Sequence, residues 1–114
     1  MLESCLEKYI EACKTHGSGF NAGDDYRVVN RAHDALLKNF RILVKDENGK
    51  EILKNLLEHE DVYVSSWIAC LLIFDCPKEC KKIIKSVAKG KGVWAGNMRI
   101  FYDEWKKGNI KKMY

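Results

Sequence analysis

Apolar residues recur along most of this chain at the spacing of an α-helix, and six such segments follow one another. The first places Leu2, Leu6, Tyr9, Ile10 and Cys13 on one face. Gly17 and Gly19 are poor helix formers, so we expect this helix either to stop near His16 or to continue to Ala22.

The second helix separates its apolar and polar faces most clearly. We expect Gly23 to end the first helix, and Asp24 or Asp25 to cap the start of the second. The apolar face is formed by Val29, Ala32, Leu36, Phe40 and Leu43. The polar face is formed by Arg27, Arg31, Asp34, Lys38, Arg41 and Lys45. A break at residues 46–49 leads to a short third helix, whose apolar residues are Ile52, Leu53, Leu56 and Leu57.

The fourth segment, from about Val62 to Phe74, is apolar on nearly all sides, which is typical of a central buried helix. Pro77 opens the fifth helix, with Asp75 as its expected cap. The sixth carries Trp94, Met98, Phe101 and Trp105 on one face and ends at Gly108. We expect these aromatic residues, together with Trp67, Phe40 and Phe74, to form core.

Six helices with short connections predict one all-α domain that covers residues 1–114. The expected architecture is a short HEAT-like α-α superhelix, with about six helices in three antiparallel pairs: one with two, three with four, and five with six. A compact irregular bundle is the alternative.

Two sets of residues resemble known families. The block Leu56-Leu57-Glu58-His59-Glu60-Asp61, with Val64, Ile68, Ala69, Leu71 and Leu72, resembles the second helix of a HEAT-type repeat, with Ser65 where such repeats often have Arg. The wider pattern resembles an uncharacterised bacterial family, the domain of unknown function 2019. It comprises Gly23-Asp24 with Asn30, the block above, Pro77, and residues 104–108. The resemblance implies a small HEAT-like superhelix and no known activity, so it assigns no catalytic residue.

Composition and charge limit the class of protein and its location. The 114 residues are 46% hydrophobic and 32% charged, a typical soluble globular composition. The longest apolar run has eight residues, Trp67 to Phe74, so we expect no membrane partner and a cytoplasmic location. Five cysteines, an odd number, favour reduced thiols. The net charge of +4 is concentrated in residues 76–114, which hold eleven basic and three acidic residues.

Motifs for known chemistries are missing from the sequence. His16, His33 and His59 lie in three separate segments without a metalloprotease or catalytic spacing. Cys76 and Cys80 form a C-x3-C pair, which is a weak zinc signal and leaves a redox or metal role open. We therefore expect a protein that is not an enzyme, with no catalytic residues, no cofactor and no metal.

The leading hypothesis is a non-enzymatic protein–protein interaction module, such as an adaptor or an immunity-type protein, with an unidentified protein partner. In a superhelix the second helix of each pair lines a concave surface, here helices two, four and six. The best-placed polar residues on it are Arg27, Arg31, Asp34, Tyr63, Ser66 and Arg99.

The alternative hypothesis is a nucleic-acid-binding helical repeat that uses basic residues near the C-terminus. Its candidate patch is Lys78, Lys82, Lys85, Lys89, Lys106 and Lys107. No aromatic residues are interleaved with these lysines along the chain in the way that single-strand binding requires. The sequence leaves the oligomeric state open.

Overall fold

The computed structural model describes residues 2–23 and 25–112, and these are 80% helical with no strand. The α-helices are α1 (Leu2–Ala22), α2 (Tyr26–Val44), α3 (Glu47–Asn55), α4 (Val62–Leu71), α5 (Pro77–Ala88) and α6 (Val93–Lys106). A single 3-10 turn, Leu56–Glu58, separates α3 from α4. The predicted all-α class is confirmed. Within the described ranges, no helix combines the length and the apolarity needed to cross a membrane.

The first helix continues through both of its glycines to Ala22. Gly17 is buried, and the ring and Cβ of Tyr63 on α4 lie where a Gly17 side chain would begin. A Cβ at residue 17 would come within 2.8 Å of the Tyr63 Cβ. Gly17 therefore lowers helix propensity but lets α1 and α4 approach closely, and tertiary packing offsets its poor propensity.

Three helices begin at an aspartate whose carboxylate accepts hydrogen bonds from backbone N–H groups of the first turn. These residues are Asp25 for α2, Asp46 for α3 and Asp61 for α4. Asp25 is one of the two caps predicted for α2, and the other, Asp24, lies outside the described residues. Gly23 has a φ of 75° after the last turn of α1, as expected for a C-terminal glycine.

Asp75 does not cap α5, contrary to the prediction. The N-cap of α5 is Cys76, which makes no side-chain capping bond, and Pro77 follows it in the first turn. The Asp75 carboxylate instead pairs with Lys50, at 3.1 Å, and with Lys112, at 3.4 Å. It thus links α3 and the C-terminal segment to the turn that follows α4.

The helices pack into a body of 36 × 33 × 25 Å with one continuous apolar core. α1 packs along α2 and also contacts α4 and α6, while α5 packs along α6 and α4. The largest fully buried side chains include Tyr9, Leu36, Phe40, Ile68, Leu72 and Ile84. α4 packs on α1, α5 and the 3-10 turn, so it occupies the central position that its apolar sequence predicts.

Candidate functional site

An open cavity of about 680 Å³ lies where α1, α2, α4 and α6 meet. Its walls are His16 and Phe20 of α1, His33 and Leu37 of α2, Trp67, Cys70, Leu71 and Phe74 in and after α4, Trp94, Asn97, Met98, Ile100, Phe101 and Glu104 of α6, and Asn109, Ile110 and Lys111 of the C-terminal segment. We refer to this site as the aromatic cavity. Its size falls within the range of about 300–1,000 Å³ that is typical of ligand sites.

His16 lies at the centre of a cluster of aromatic rings at the inner end of the cavity. The ring centroids of Trp67, Trp94 and His33 lie 5.1, 5.8 and 5.7 Å from that of His16. Both tryptophans meet the imidazole edge-to-face, at 78° and 73°. Phe20 stacks on the same imidazole at 5.8 Å. Such spacings and angles are favourable for aromatic pairs, so four elements place rings against one imidazole.

The His16 side chain is buried and uncharged. It is 6% exposed, and its Nδ1 accepts a hydrogen bond from Trp67 Nε1 at 3.2 Å. Burial, with a smaller contribution from neighbouring His33, lowers the pKa of His16 to about 4. Because Nδ1 is an acceptor in a neutral ring, Nε2 carries the hydrogen. Among the described residues, that N–H has no hydrogen-bond acceptor, and the His16 side chain lines the cavity.

Trp94 lines the cavity, and its two N–H groups bond to residues outside the cavity lining. It is 5% exposed, and its Nε1 donates to Ser66 Oγ at 2.9 Å. Its backbone N–H donates to Asn21 Oδ1 at 3.1 Å, which ties the start of α6 to the end of α1. Tyr63 meets the Trp94 ring edge-to-face at 5.7 Å. These contacts hold the indole in one orientation in the cavity wall.

The outer part of the cavity is formed by exposed apolar side chains and by the C-terminal segment. Phe74 is 42% exposed and Ile100 is 63% exposed. Beyond α6 the chain turns back, so that Ile110 lines the cavity. Asn109 Nδ2 donates to Glu104 Oε2 at 2.6 Å, which fixes this return of the chain.

The structure brings none of the six residues predicted to bind a partner into the aromatic cavity. Arg27 pairs with Asp25 at 3.0 Å at the start of α2. Arg31 is exposed and lines a shallow groove of about 520 Å³ between α1 and α2. Asp34 is exposed, with its carboxylate 3.9 Å from His33 Nδ1.

The other three predicted residues have structural contacts. The Arg99 guanidinium donates to the carbonyl oxygens of Ala88, at 2.7 Å, and Gly90, at 3.3 Å, at the C-terminal end of α5. Tyr63 packs between Gly17 and Trp94. Ser66 is fully buried, and its hydroxyl accepts a hydrogen bond from Trp94 Nε1.

Several aromatic residues that we expected to be core also line the cavity. Phe40 is fully buried as expected, but Trp67 and Phe101 are partly exposed and Phe74 is a rim residue. A sign of this was present in the sequence, since Trp67 and Phe74 are seven positions apart and lie on one side of an all-apolar segment. A short helix with apolar residues on every side has more apolar surface than one core contact covers.

A second surface combines lysines with aromatic rings on α5 and α6. The rings of Tyr102 and Trp105 stack with centroids 6.3 Å apart. The ammonium groups of Lys85 and Lys106 lie 5.9 and 4.8 Å from the Tyr102 centroid, and that of Lys81 lies 5.7 Å from Trp105. The interleaving of lysines and rings that the linear sequence lacks is thus produced by the packing of α5 against α6. We refer to these five residues as the lysine-aromatic surface.

Burial disfavours the thiolate form of three cysteines, Cys13, Cys70 and Cys80. Burial raises the pKa of Cys13 to about 12 and raises that of Cys70, which lines the cavity. The sulfurs of Cys76 and Cys80 lie 3.8 Å apart, and burial raises the pKa of Cys80 as well. Thiolates are the nucleophilic and metal-binding form, and these environments disfavour it. In residues 2–23 and 25–112, no group of three or more His, Cys, Asp or Glu side chains is placed to hold a metal ion.

No family model, curated protein or solved structure matches this chain.

Proposed function

We propose that this chain is a non-enzymatic protein–protein interaction module whose docking site is the aromatic cavity. The observation that carries the proposal is the continuity between the cavity and its exposed apolar rim. Phe74 and Ile100 extend the apolar lining outward into solvent. A small molecule inside the cavity would leave these side chains in water, whereas an apolar segment of a partner protein would cover lining and rim together.

The proposal places the docking site at a different position from the concave surface predicted from the sequence. Tyr63 and Ser66 support the cavity indirectly, because both contact Trp94. Arg27, Arg31 and Asp34 are exposed along α2 and remain a competing location for a partner.

We keep the class of protein and the location that were predicted from the sequence. The contacts of α1 with α2 and of α5 with α6 support two of the three helix pairs of a HEAT-like superhelix. With the resemblance to the uncharacterised bacterial family, this favours an adaptor or an immunity-type protein in a bacterial cytoplasm.

The test compares two isoleucines that differ in location. Tagged wild-type protein, Ile100→Asp and Ile42→Asp are used to capture proteins from a lysate of the host, after nuclease treatment and at high salt. Ile100 is 63% exposed at the cavity rim, and Ile42 is 42% exposed on α2 away from the cavity. We expect a defined protein to bind wild type and Ile42→Asp at similar levels, and Ile100→Asp at least tenfold less.

Equal capture by Ile100→Asp and Ile42→Asp would exclude the aromatic cavity as the docking site. Arg31→Ala serves as a third variant in the same assay. Loss of capture in that variant alone would return the docking site to the polar face of α2.

The lysine-aromatic surface favours a second candidate function, binding of single-stranded nucleic acid. Stacked rings offer a platform for bases, and the surrounding ammonium groups offer contacts for phosphates. Of the six lysines predicted for this role, Lys85 and Lys106 contact Tyr102 directly. Lys78, Lys82, Lys89 and Lys107 are exposed on the same two helices or at their ends.

Fluorescence anisotropy with a labelled oligothymidine tests the second candidate. We expect affinity to fall at least tenfold between 50 and 200 mM salt, because phosphate contacts release counterions. Lys85→Ala and Tyr102→Ala should each weaken binding, and Lys14→Ala, on exposed α1 surface, should not. Binding that is indifferent to salt or to Tyr102 would reject this function.

A further inference from the structure

We infer that the inner end of the aromatic cavity selects a neutral planar ring carrying one oxygen that accepts a hydrogen bond, as in the phenol of a tyrosine side chain. The inference deepens the proposed function, on which it rests for the source of the ring, a tyrosine in the partner segment.

The preference for a planar ring follows from the walls. The rings of His16, Trp67 and Trp94 converge with centroids 5.1–6.0 Å apart, and His33 lies 5.7 Å from both His16 and Trp67. Edge-to-face and tilted arrangements leave ring faces and ring edges directed at a common space. An aromatic occupant makes further contacts of the same kind, which an aliphatic chain does not.

The preference for an acceptor oxygen follows from His16. The imidazole is more than nine-tenths buried, and its Nδ1 is already bonded to Trp67. Its Nε2–H is therefore a donor without an acceptor among residues 2–23 and 25–112, in a side chain that lines the cavity. An occupant that brings an acceptor gains a hydrogen bond to this N–H, and an occupant without an acceptor does not.

The preference for a neutral group follows from the distribution of charge. At the inner end the imidazole is uncharged at neutral pH, because burial and nearby His33 lower the pKa of His16 to about 4. The cavity's charged residues are Glu104 and Lys111. Glu104 is ten residues from Trp94 on α6, about 15 Å along the helix axis. A carboxylate or an ammonium group at the inner end would thus lose its hydration without gaining a counter-charge from the His16 imidazole.

Two small probes that differ by one hydroxyl group test the inference: p-cresol and toluene. Each is titrated into the full chain and followed by the shifts of the tryptophan Nε1–H signals in NMR spectra. We expect p-cresol to bind wild type about five- to tenfold more tightly than toluene, the gain of one net hydrogen bond. In His16→Phe this preference should disappear. The matched control is His33→Phe, which alters another imidazole of the same cavity and should keep the preference.

A second measurement does not depend on any variant folding correctly. The nitrogen shifts of the wild-type His16 ring should show hydrogen on Nε2, and that N–H signal should move downfield with p-cresol, as a hydrogen-bonded proton does, and not with toluene. Equal affinities for the two probes, or an Nε2 signal that ignores p-cresol, would overturn the inference.

The combined results separate this inference from the proposed function. Selective p-cresol binding without cavity-dependent capture of a protein would leave the inference standing, assign the ring to a free phenolic compound, and reject the proposed function. Protein capture that depends on Ile100, with no preference between the probes, would reject the inference alone.

Discussion

Two regions of this protein are built from the same helices, and they differ in whether the apolar faces meet. In the first region, which we refer to as the closed core, Tyr9, Leu36, Phe40, Ile68 and Leu72 are fully buried. In the aromatic cavity, His16 and Trp94 are buried, but Trp67 and Phe101 remain partly exposed and Phe74 and Ile100 reach solvent.

The difference lies in how each helix divides its apolar residues. Tyr9 and His16 are seven residues apart on α1, two turns along one face, and the first enters the closed core while the second enters the cavity. On α4, Trp67 and Ile68 are adjacent and therefore point in directions about 100° apart. One side of α4 thus packs in the closed core, and another side lines the cavity. This is possible because the apolar surface of α4 is wider than its contact with the core.

Truncating one phenylalanine from each region should produce the largest contrast. Phe40→Ala should lower the free energy of unfolding by about 3–5 kcal/mol, because the removed ring leaves a cavity in close-packed surroundings. Phe74→Ala, at a side chain that is 42% exposed, should cost less than about 1 kcal/mol. Urea unfolding measures both. Similar losses would mean that Phe74 is part of the core and that the two regions do not differ.

Acid should weaken the protein through His16. Its pKa of about 4 in the folded state lies below the ordinary value of 6.5, so the unfolded chain binds this proton first as pH falls. We expect His16 to contribute a loss of about 2–3 kcal/mol between pH 6.5 and pH 4, and less than about 0.5 kcal/mol more below pH 4, where the folded state also binds the proton.

The measurement is the difference between wild type and His16→Phe in urea unfolding across that pH range. Titrating carboxylates affect both proteins, so subtraction isolates the imidazole. Parallel stability curves would show that His16 is hydrated and that the inner end of the cavity is not the apolar environment described above.

Two glycine substitutions compare a tight helix contact with an open one. Gly17→Ala should destabilise the fold by about 1–3 kcal/mol, because the added methyl group overlaps the Tyr63 side chain. Gly96→Ala on α6 should stabilise the fold by up to about 1 kcal/mol, since its nearest neighbour is Arg99 Nη2 at an ordinary 3.5 Å and alanine favours a helix. Thermal and urea unfolding would report both. Stabilisation by both substitutions would contradict the close approach of α1 and α4.

The smallest expected difference is between two adjacent serines on α4, Ser65 and Ser66. Ser66→Ala removes the acceptor of the buried Trp94 indole and should cost about 1–2 kcal/mol. Ser65 is nearly as buried, but its hydroxyl makes only a long 3.4 Å bond to the Val62 carbonyl, so Ser65→Ala should change stability by less than about 0.5 kcal/mol. Equal effects would indicate that the Ser66–Trp94 bond does not stabilise the cavity wall.

The helices and most of their boundaries could be predicted from the amino-acid sequence alone. Periodic apolar residues, the Asp25 cap, Pro77 and the glycines at 23 and 108 all act within a few residues of their own position. The role of Gly17 could not be predicted in this way, because it depends on a contact with Tyr63, which is 46 positions away.

Which apolar faces meet and which stay open depends on how the helices pack against one another. Helical periodicity gives the direction of a side chain but not what packs against it. The sequence pattern of Trp67, Phe74 and Phe101 was therefore the same as that of fully buried residues. The bond from Trp67 to His16 spans 51 positions, and the lysine-aromatic surface requires α5 to lie on α6. Both sites are products of helix packing, since their side chains become neighbours only when distant segments are brought together.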